Sequence, residues 1–246
     1  MMHPVFQLGK RQVRIDRRTF TLRSILGKKL TLPTKYSFDT KHPGIPTPMF
    51  ANDEYGCCVI SGRAHQTLRF ECQEQGSIIK ITDKDVINEY LKETNGIDAG
   101  LVMLDSLNCW RRGWKIGRKN YKIKAFASFN PKSKADLQRT VYSDVGAYVG
   151  VDLPISAQEE IDSGIPWSKT TGQDTELGSW GGHCVYIVGY DSVGPTCITW
   201  GRKQAMTWRW FNKYCVEAYA VIDALNTTKK LKTFDAQAIE DKLSTL

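Results

Sequence analysis

Residues 181–190, Gly-Gly-His-Cys-Val-Tyr-Ile-Val-Gly-Tyr, constrain the chain more than any other segment. The run is apolar and β-branched, so it reads as a strand, with His183 at its mouth. The two glycines before the histidine permit close approach of another backbone. Further strands are predicted at 147–153, 196–200 and 217–222, separated by Gly, Pro and Asp turn signals, and residues 121–127 alternate with period two.

The first half has a different texture. A helix is predicted from Cys57 or Cys58 through Val59, Ile60, Ala64, Leu68 and Phe70, ending before Gly76. Thr82 is a plausible N-cap for the next helix, with Asp85 three residues on in place of a capping-box acid. Leu104, Leu107 and Trp110 share one face of a helix over 102–113, and helices are also expected over 134–142 and 234–243. A helix-rich half followed by an antiparallel, strand-rich half is an α+β plan whose two faces can meet in a cleft.

Charge is concentrated at the start. Residues 1–30 hold eight Lys or Arg (Lys10, Arg11, Arg14, Arg17, Arg18, Arg23, Lys28, Lys29) and one acid, Asp16, so they carry +7 of the net +8. Such an arm suits an acidic partner, but a solvated basic strand or short hairpin is the simpler reading. Nucleic acid is not expected as a partner, because neither aromatic interleaving nor a recognition motif accompanies the charge. Residues 31–51, with Pro33, Pro43, Pro46 and Pro48, read as an extended strap.

No apolar run approaches the ~20 residues of a membrane span, and no secretory signal precedes the basic arm. The seven cysteines are scattered without CxxC pairs, so neither a zinc site nor a disulfide framework is indicated. No cofactor motif is present, and a reducing, cytoplasmic setting is expected.

The chemistry centres on Asn52-Asp-Glu-Tyr-Gly-Cys-Cys58. A cysteine at a helix N-terminus feels the positive end of the macrodipole, which favours its thiolate. Asn52, six residues upstream, can return an amide donor to the cleft and, with the Cys58 N–H, form an oxyanion hole. His183 supplies the imidazole such a nucleophile needs. The strand Ile198-Thr199-Trp200-Gly201 can present Thr199 to orient the ring, with Trp200 shielding the contact; Asp191 and Asp174 are weaker candidates for that role. Cys57 is the rival nucleophile, one residue short of the six-residue spacing. His65 lies about 10 Å along the helix from Cys58 and reads as a packed histidine. His3 and His42 fall in the arm and strap and are expected to be exposed. Cys184, Cys197 and Cys215 read as core.

These segments resemble the papain-like cysteine peptidase superfamily, whose pattern is Gln-x5-Cys opening a helix, then Gly-His-Ala-Val-x-x-x-Gly-Tyr, then Asn-Ser-Trp-Gly. The match in order and length covers roughly residues 45–222. NDEYGCC, GGHCV, TWGRKQAMTW and VEAYAV are similar, more closely, to bacterial and phage papain-fold proteins. The resemblance implies one papain-like α+β domain over 1–246: arm and strap 1–45, helical lobe 46–145, β lobe 146–225 and a helical tail 226–246. It implies Cys58 as nucleophile, His183 as base, Asn52 in the oxyanion hole and Thr199 at the end of the orienting motif. It thus implies a cysteine peptidase or amide hydrolase acting on peptide or protein; no cofactor or metal is expected, and no pro-segment is evident in the sequence, so zymogen control is not suggested.

Three departures stand out. Asn52 replaces Gln, Val59 replaces the aromatic residue after the nucleophile, and the orienting Asn is missing, with Ile198 or Thr199 in its place. They motivate two other readings: a papain-fold binding or structural protein with impaired catalysis, and an amidase acting on cell-wall peptides.

Overall fold

A computed structural model describes residues 6–27, 31–223 and 234–244. His3, Lys28, Lys29 and the first part of the anticipated tail, 226–233, lie outside the described residues. In chain order the elements begin with β1 (Phe20–Thr21), β2 (Tyr36–Ser37), α1 (Phe38–Lys41), α2 (Cys58–Gln75), α3 (Asp83–Glu93) and α4 (Met103–Arg112). Next come β3 (Trp114–Ile116), β4 (Lys119–Tyr121), β5 (Ile123–Ser128), α5 (Lys134–Thr140), β6 (Ala147–Leu153) and α6 (Ile155–Asp162). The chain continues with β7 (Gly181–Tyr190), β8 (Pro195–Thr199), β9 (Arg202–Ala205), α7 (Trp208–Tyr214), β10 (Cys215–Asp223) and α8 (Ala236–Leu243).

One sheet organises the second half, in the order β1-β5-β10-β6-β7-β8-β9, with β2 pairing on β7. Every pairing is antiparallel except β1 with β5. β7 lies between β6 and β8, with Val151 opposite His183, and its residues from His183 onward are buried. That explains its apolar run. The fold is the α+β, papain-like architecture anticipated from the sequence. Among the described residues the arm forms no hairpin; it leads into β1 and a 3-10 turn, Leu22–Ile25.

α2 is the central helix, and its composition needs a physical account. It is buried on nearly all sides, yet its sequence includes Arg63, His65, Gln66 and Arg69. Buried charges persist only when paired. Arg63 donates to Glu89 (3.0 Å) and Glu93 (2.8 Å) of α3 and lies over the rings of Trp110 and Trp114. Arg69 forks onto Asp39 of α1 at 3.0 and 2.9 Å. His65 packs against Phe50, as anticipated. These pairs fix α2 between strap, α3 and sheet. The expected cost of Arg63→Ala, which strands two buried carboxylates, is about 3–5 kcal/mol in denaturant unfolding; a loss under 1 kcal/mol would contradict this account.

α3 starts at the predicted Thr82 cap, with both halves of the capping box formed to Asp85. Against the other face of α2, a Cβ on Gly62 would sit 3.2 Å from the Tyr148 ring and 3.3 Å from the Cys184 sulfur. The helix and β7 are therefore in close contact, which carries Cys58 to the start of that strand.

Candidate active site

Phe50 and Ala51 both take left-handed backbone conformations (φ 56° and 55°), uncommon for residues with a Cβ. The turn they make delivers Asn52 and then α2. Cys57 is the N-cap residue and Cys58 the first residue of the helix. Their thiols diverge. Cys57 turns inward, its sulfur 3.4 Å from both the Phe50 carbonyl and Ser61 Oγ, and burial pushes its pKa up to about 12. The Cys58 thiol instead feels the backbone N–H groups of Cys184, next to His183, and of Gly9, which pull its pKa down.

On the facing strands, His183 Nε2 lies 2.6 Å from Thr199 Oγ1. Trp200 stacks on the imidazole with 3.9 Å between ring centroids and 12° between planes. Trp200 itself has φ 43°, another residue with a Cβ in the left-handed region. His183 Nδ1 has no hydrogen-bond partner among the described residues. Asp191 does not approach the ring; it accepts the Val193 and Gly194 N–H groups of its own turn.

The sequence reading missed what lies between these two halves. Residues 7–11 run through the cleft as an extended segment, with one parallel bridge from Lys10 to Leu101. Gln7 N–H donates to the Asn52 carbonyl (3.0 Å) and Lys10 N–H to the Gly182 carbonyl (3.1 Å). Leu101 N–H donates to the Gly9 carbonyl (2.7 Å) and Arg11 N–H to the Leu101 carbonyl (2.9 Å). The Asn52 amide donates to the Gln7 carbonyl at 3.1 Å and also to that of Tyr55. Trp200 Nε1 donates to the same Gln7 carbonyl, and Phe6 packs on the Trp200 ring.

The fit is close enough to require glycine. A Cβ on Gly9 would lie 1.7 Å from the Gly56 carbonyl oxygen, and one on Gly182 would lie 2.2 Å from the Lys10 carbonyl oxygen. The groove left open here, 370 Å³, has Gln7, Gly9 and Lys10 among its walls.

Two expectations are corrected. Lys10 is not part of a solvated basic strand: its ammonium is buried against Asp152 and Glu217, inside the same chain. Arg11, Arg14, Arg17, Arg18 and Arg23 are exposed. An extended segment across the cleft was not anticipated from the sequence. Its backbone contacts use residues far away in sequence, and only Gly9 hinted at the close approach. His42, expected to be exposed, is partly covered and stacks on Phe38.

Covered in this way, Cys58 is 1% exposed and His183 0%. Burial pushes the Cys58 thiol up to about 11, against the opposing pull of the Cys184 and Gly9 N–H groups. Burial, and then the Lys10 charge, lower the His183 imidazole to about 3. The pair is therefore held as neutral thiol and neutral imidazole. All seven cysteines are unbridged thiols, and no cluster of metal-ligating side chains occurs among the described residues.

No family profile matches the chain, and no curated protein matches it in sequence. Solved structures do. Xylellain, a cysteine protease from Xylella fastidiosa, superposes with a TM-score of 0.64 at 14% identity, over 90% of this chain and 98% of its own. A Carica candamarcensis cysteine protease in complex with E-64 gives 0.58 at 11% identity, over 78% and 99%. A procathepsin B from Trypanosoma congolense gives 0.57 at 12%, over 88% and 86%. At this identity the similarity establishes the fold: the chain has the architecture of papain-like cysteine proteases. No helix among the described residues is long and apolar enough to cross a membrane.

Proposed function

We propose that this chain is a cysteine peptidase or related amide hydrolase, latent while its own residues 7–11 occupy the cleft. The reading rests above all on the His183–Thr199 contact under Trp200. It leaves Nδ1 as the free ring nitrogen, while the backbone N–H of the adjacent residue, Cys184, acts on the Cys58 thiol. With Nε2–H donating to Thr199 Oγ1, Nδ1 carries the lone pair that a general base needs.

With the cleft open, Nδ1 takes the Cys58 proton and the thiolate attacks the carbonyl carbon of a peptide bond. The oxygen, now negative, is held by the Asn52 amide and the Cys58 N–H. Collapse breaks the C–N bond, His183 returns the proton to the departing amine, and a thioester remains. His183 then deprotonates a water, whose oxygen displaces the sulfur and releases the acid. Asn52 already donates to a backbone carbonyl, that of Gln7, as the scheme requires of it. In the covered chain Asn52 grips the Gln7–Leu8 peptide unit.

A second reading is favoured by the neutral pair described above: a papain-fold binding protein that does not turn over. The two separate on one measurement, hydrolysis of a peptide-amide panel by the full chain with its arm opened. Turnover lost in Cys58→Ala supports the enzyme; none, with an unreactive Cys58, supports the binding protein. The unbridged cysteines support a reducing compartment, and the exposed arginines of the arm remain available to an acidic partner.

Thr199 is a positioning residue in this scheme. Thr199→Val is expected to lower kcat about 10–100-fold with little change in KM, because the ring loses its tautomer and orientation. Thr199→Asn, which restores a side-chain acceptor, is expected to recover part of the loss. Equal kcat for all three chains would remove Thr199 from the mechanism.

A further inference from the structure

The cleft holds more than a strand of backbone. Lys10 Nζ lies 3.0 Å from Asp152 Oδ1 and 3.6 Å from Glu217 Oε1, and donates to the Arg11 carbonyl. Its side chain is 1% exposed, that of Glu217 4% and that of Asp152 32%. The sheet builds this pocket. Glu217 on β10 stands opposite Gly150 on β6, Asp152 follows two residues later on the same face, and Gly182 on β7 stands opposite Asp152. Gly150 leaves room for the aliphatic stem: a Cβ there would lie 2.8 Å from Lys10 Cδ and 2.6 Å from Glu217 Cγ.

The other Glu217 oxygen, Oε2, accepts from Tyr219 OH at 3.0 Å, which fixes the carboxylate. Burial raises the Glu217 carboxyl and the Lys10 ammonium lowers it, so Glu217 relies on a neighbouring cation to stay charged. When the arm withdraws, two carboxylates remain in a narrow slot beside the cysteine. Buried carboxylates without a partner are costly, and the nearest replacement is a cation on whatever peptide enters the cleft.

We propose that the Asp152–Glu217 pocket receives the lysine or arginine side chain of a peptide substrate, with Lys10 as its resident occupant. The inference rests on the peptidase reading for the word substrate, but the pocket itself rests on the Lys10 contacts. The register supports a place close to the reacting bond. Lys10 N–H bonds the Gly182 carbonyl, next to His183, and the Asn52 amide holds the Gln7 carbonyl. The pocket therefore recognises a basic residue at the third position beyond the bond attacked.

The test is peptide binding, which does not require turnover. Fluorescent peptides Gln-Leu-Gly-Lys-Arg, and the same sequence with leucine or arginine in place of the lysine, are titrated into the full-length Gly9→Ala, Cys58→Ala chain. Lys10→Glu, Cys58→Ala, which sets a third carboxylate against Asp152 and Glu217 and so expels the arm, serves as a second opened chain should the first not fold. The lysine and arginine peptides are expected to bind about tenfold or more tighter than the leucine peptide. Glu217→Gln with Asp152→Asn, near-isosteric changes, is expected to remove that preference. Equal affinities, a preference that survives the two neutralisations, or no binding of any peptide to either opened chain would overturn the proposal. A lysine preference in a chain whose Cys58-containing form never hydrolyses a peptide would leave the pocket standing and bring down the peptidase reading alone.

Discussion

In an opened chain carrying Gly9→Ala, the further change Cys58→Ala is expected to abolish peptide-amide hydrolysis, a fall of roughly 10⁴-fold or more. The sulfur is the only group in the scheme that forms a bond to the substrate, so nothing else can replace its step. The neighbouring thiol does not substitute for it. Cys57 points at the Phe50 carbonyl and Ser61, and burial holds its pKa up to about 12. Cys57→Ser in the same background is therefore expected to keep most of the activity. Mass spectrometry after a limiting dose of an epoxide inhibitor should place the label on Cys58 among the seven thiols. Hydrolysis persisting in Cys58→Ala, or disappearing in Cys57→Ser while Cys58 still labels, would move the nucleophile by one residue.

Much of this site was legible because its chemistry is local. A cysteine opening a helix, and a histidine behind two glycines opening an apolar strand, are patterns of adjacent residues. They indicated α2, β7 and the α+β plan. Thr199 was legible by position in the TWG segment, and the structure brings it within 2.6 Å of the imidazole.

Other parts depend on partners distant in sequence. α6 and α7 are short, at 8 and 7 residues, and their apolar residues face the sheet over barely two turns, too few to set a period. The polar residues of α2 give no sign that Glu89, Glu93 and Asp39 will neutralise them. The arm was the largest miss, for the same reason. A lysine among arginines reads as solvated until Asp152 and Glu217, more than a hundred residues away, are brought around it.

Opening the cleft alone, by Gly9→Ala, is expected to raise the alkylation rate of Cys58 at pH 7 on the order of 10²-fold. The added methyl would fall 1.7 Å from the Gly56 carbonyl oxygen, a backbone atom that cannot rotate aside, so the strand must leave its place. Burial is the leading cause of both perturbed titrations, and the Lys10 charge adds to that of His183. Withdrawal of the strand weakens both causes. The thiol, raised to about 11 while covered, then moves down, helped by the N-terminus of α2; the imidazole, lowered to about 3, moves up.

Thiolate is the reactive species, so the covered chain should alkylate appreciably only as pH climbs towards 11. The opened chain should reach its plateau near neutrality. Lys10→Ala is expected to shift the profile in the same direction by less, because the backbone bonds to Gly182 and Leu101 remain. If the wild-type and Gly9→Ala profiles coincide, with folding verified by circular dichroism, the strand does not control the thiol. Cys58 would then owe its raised pKa to the fixed packing of α2 against β7, and the latency proposed for this site would fail at its first step.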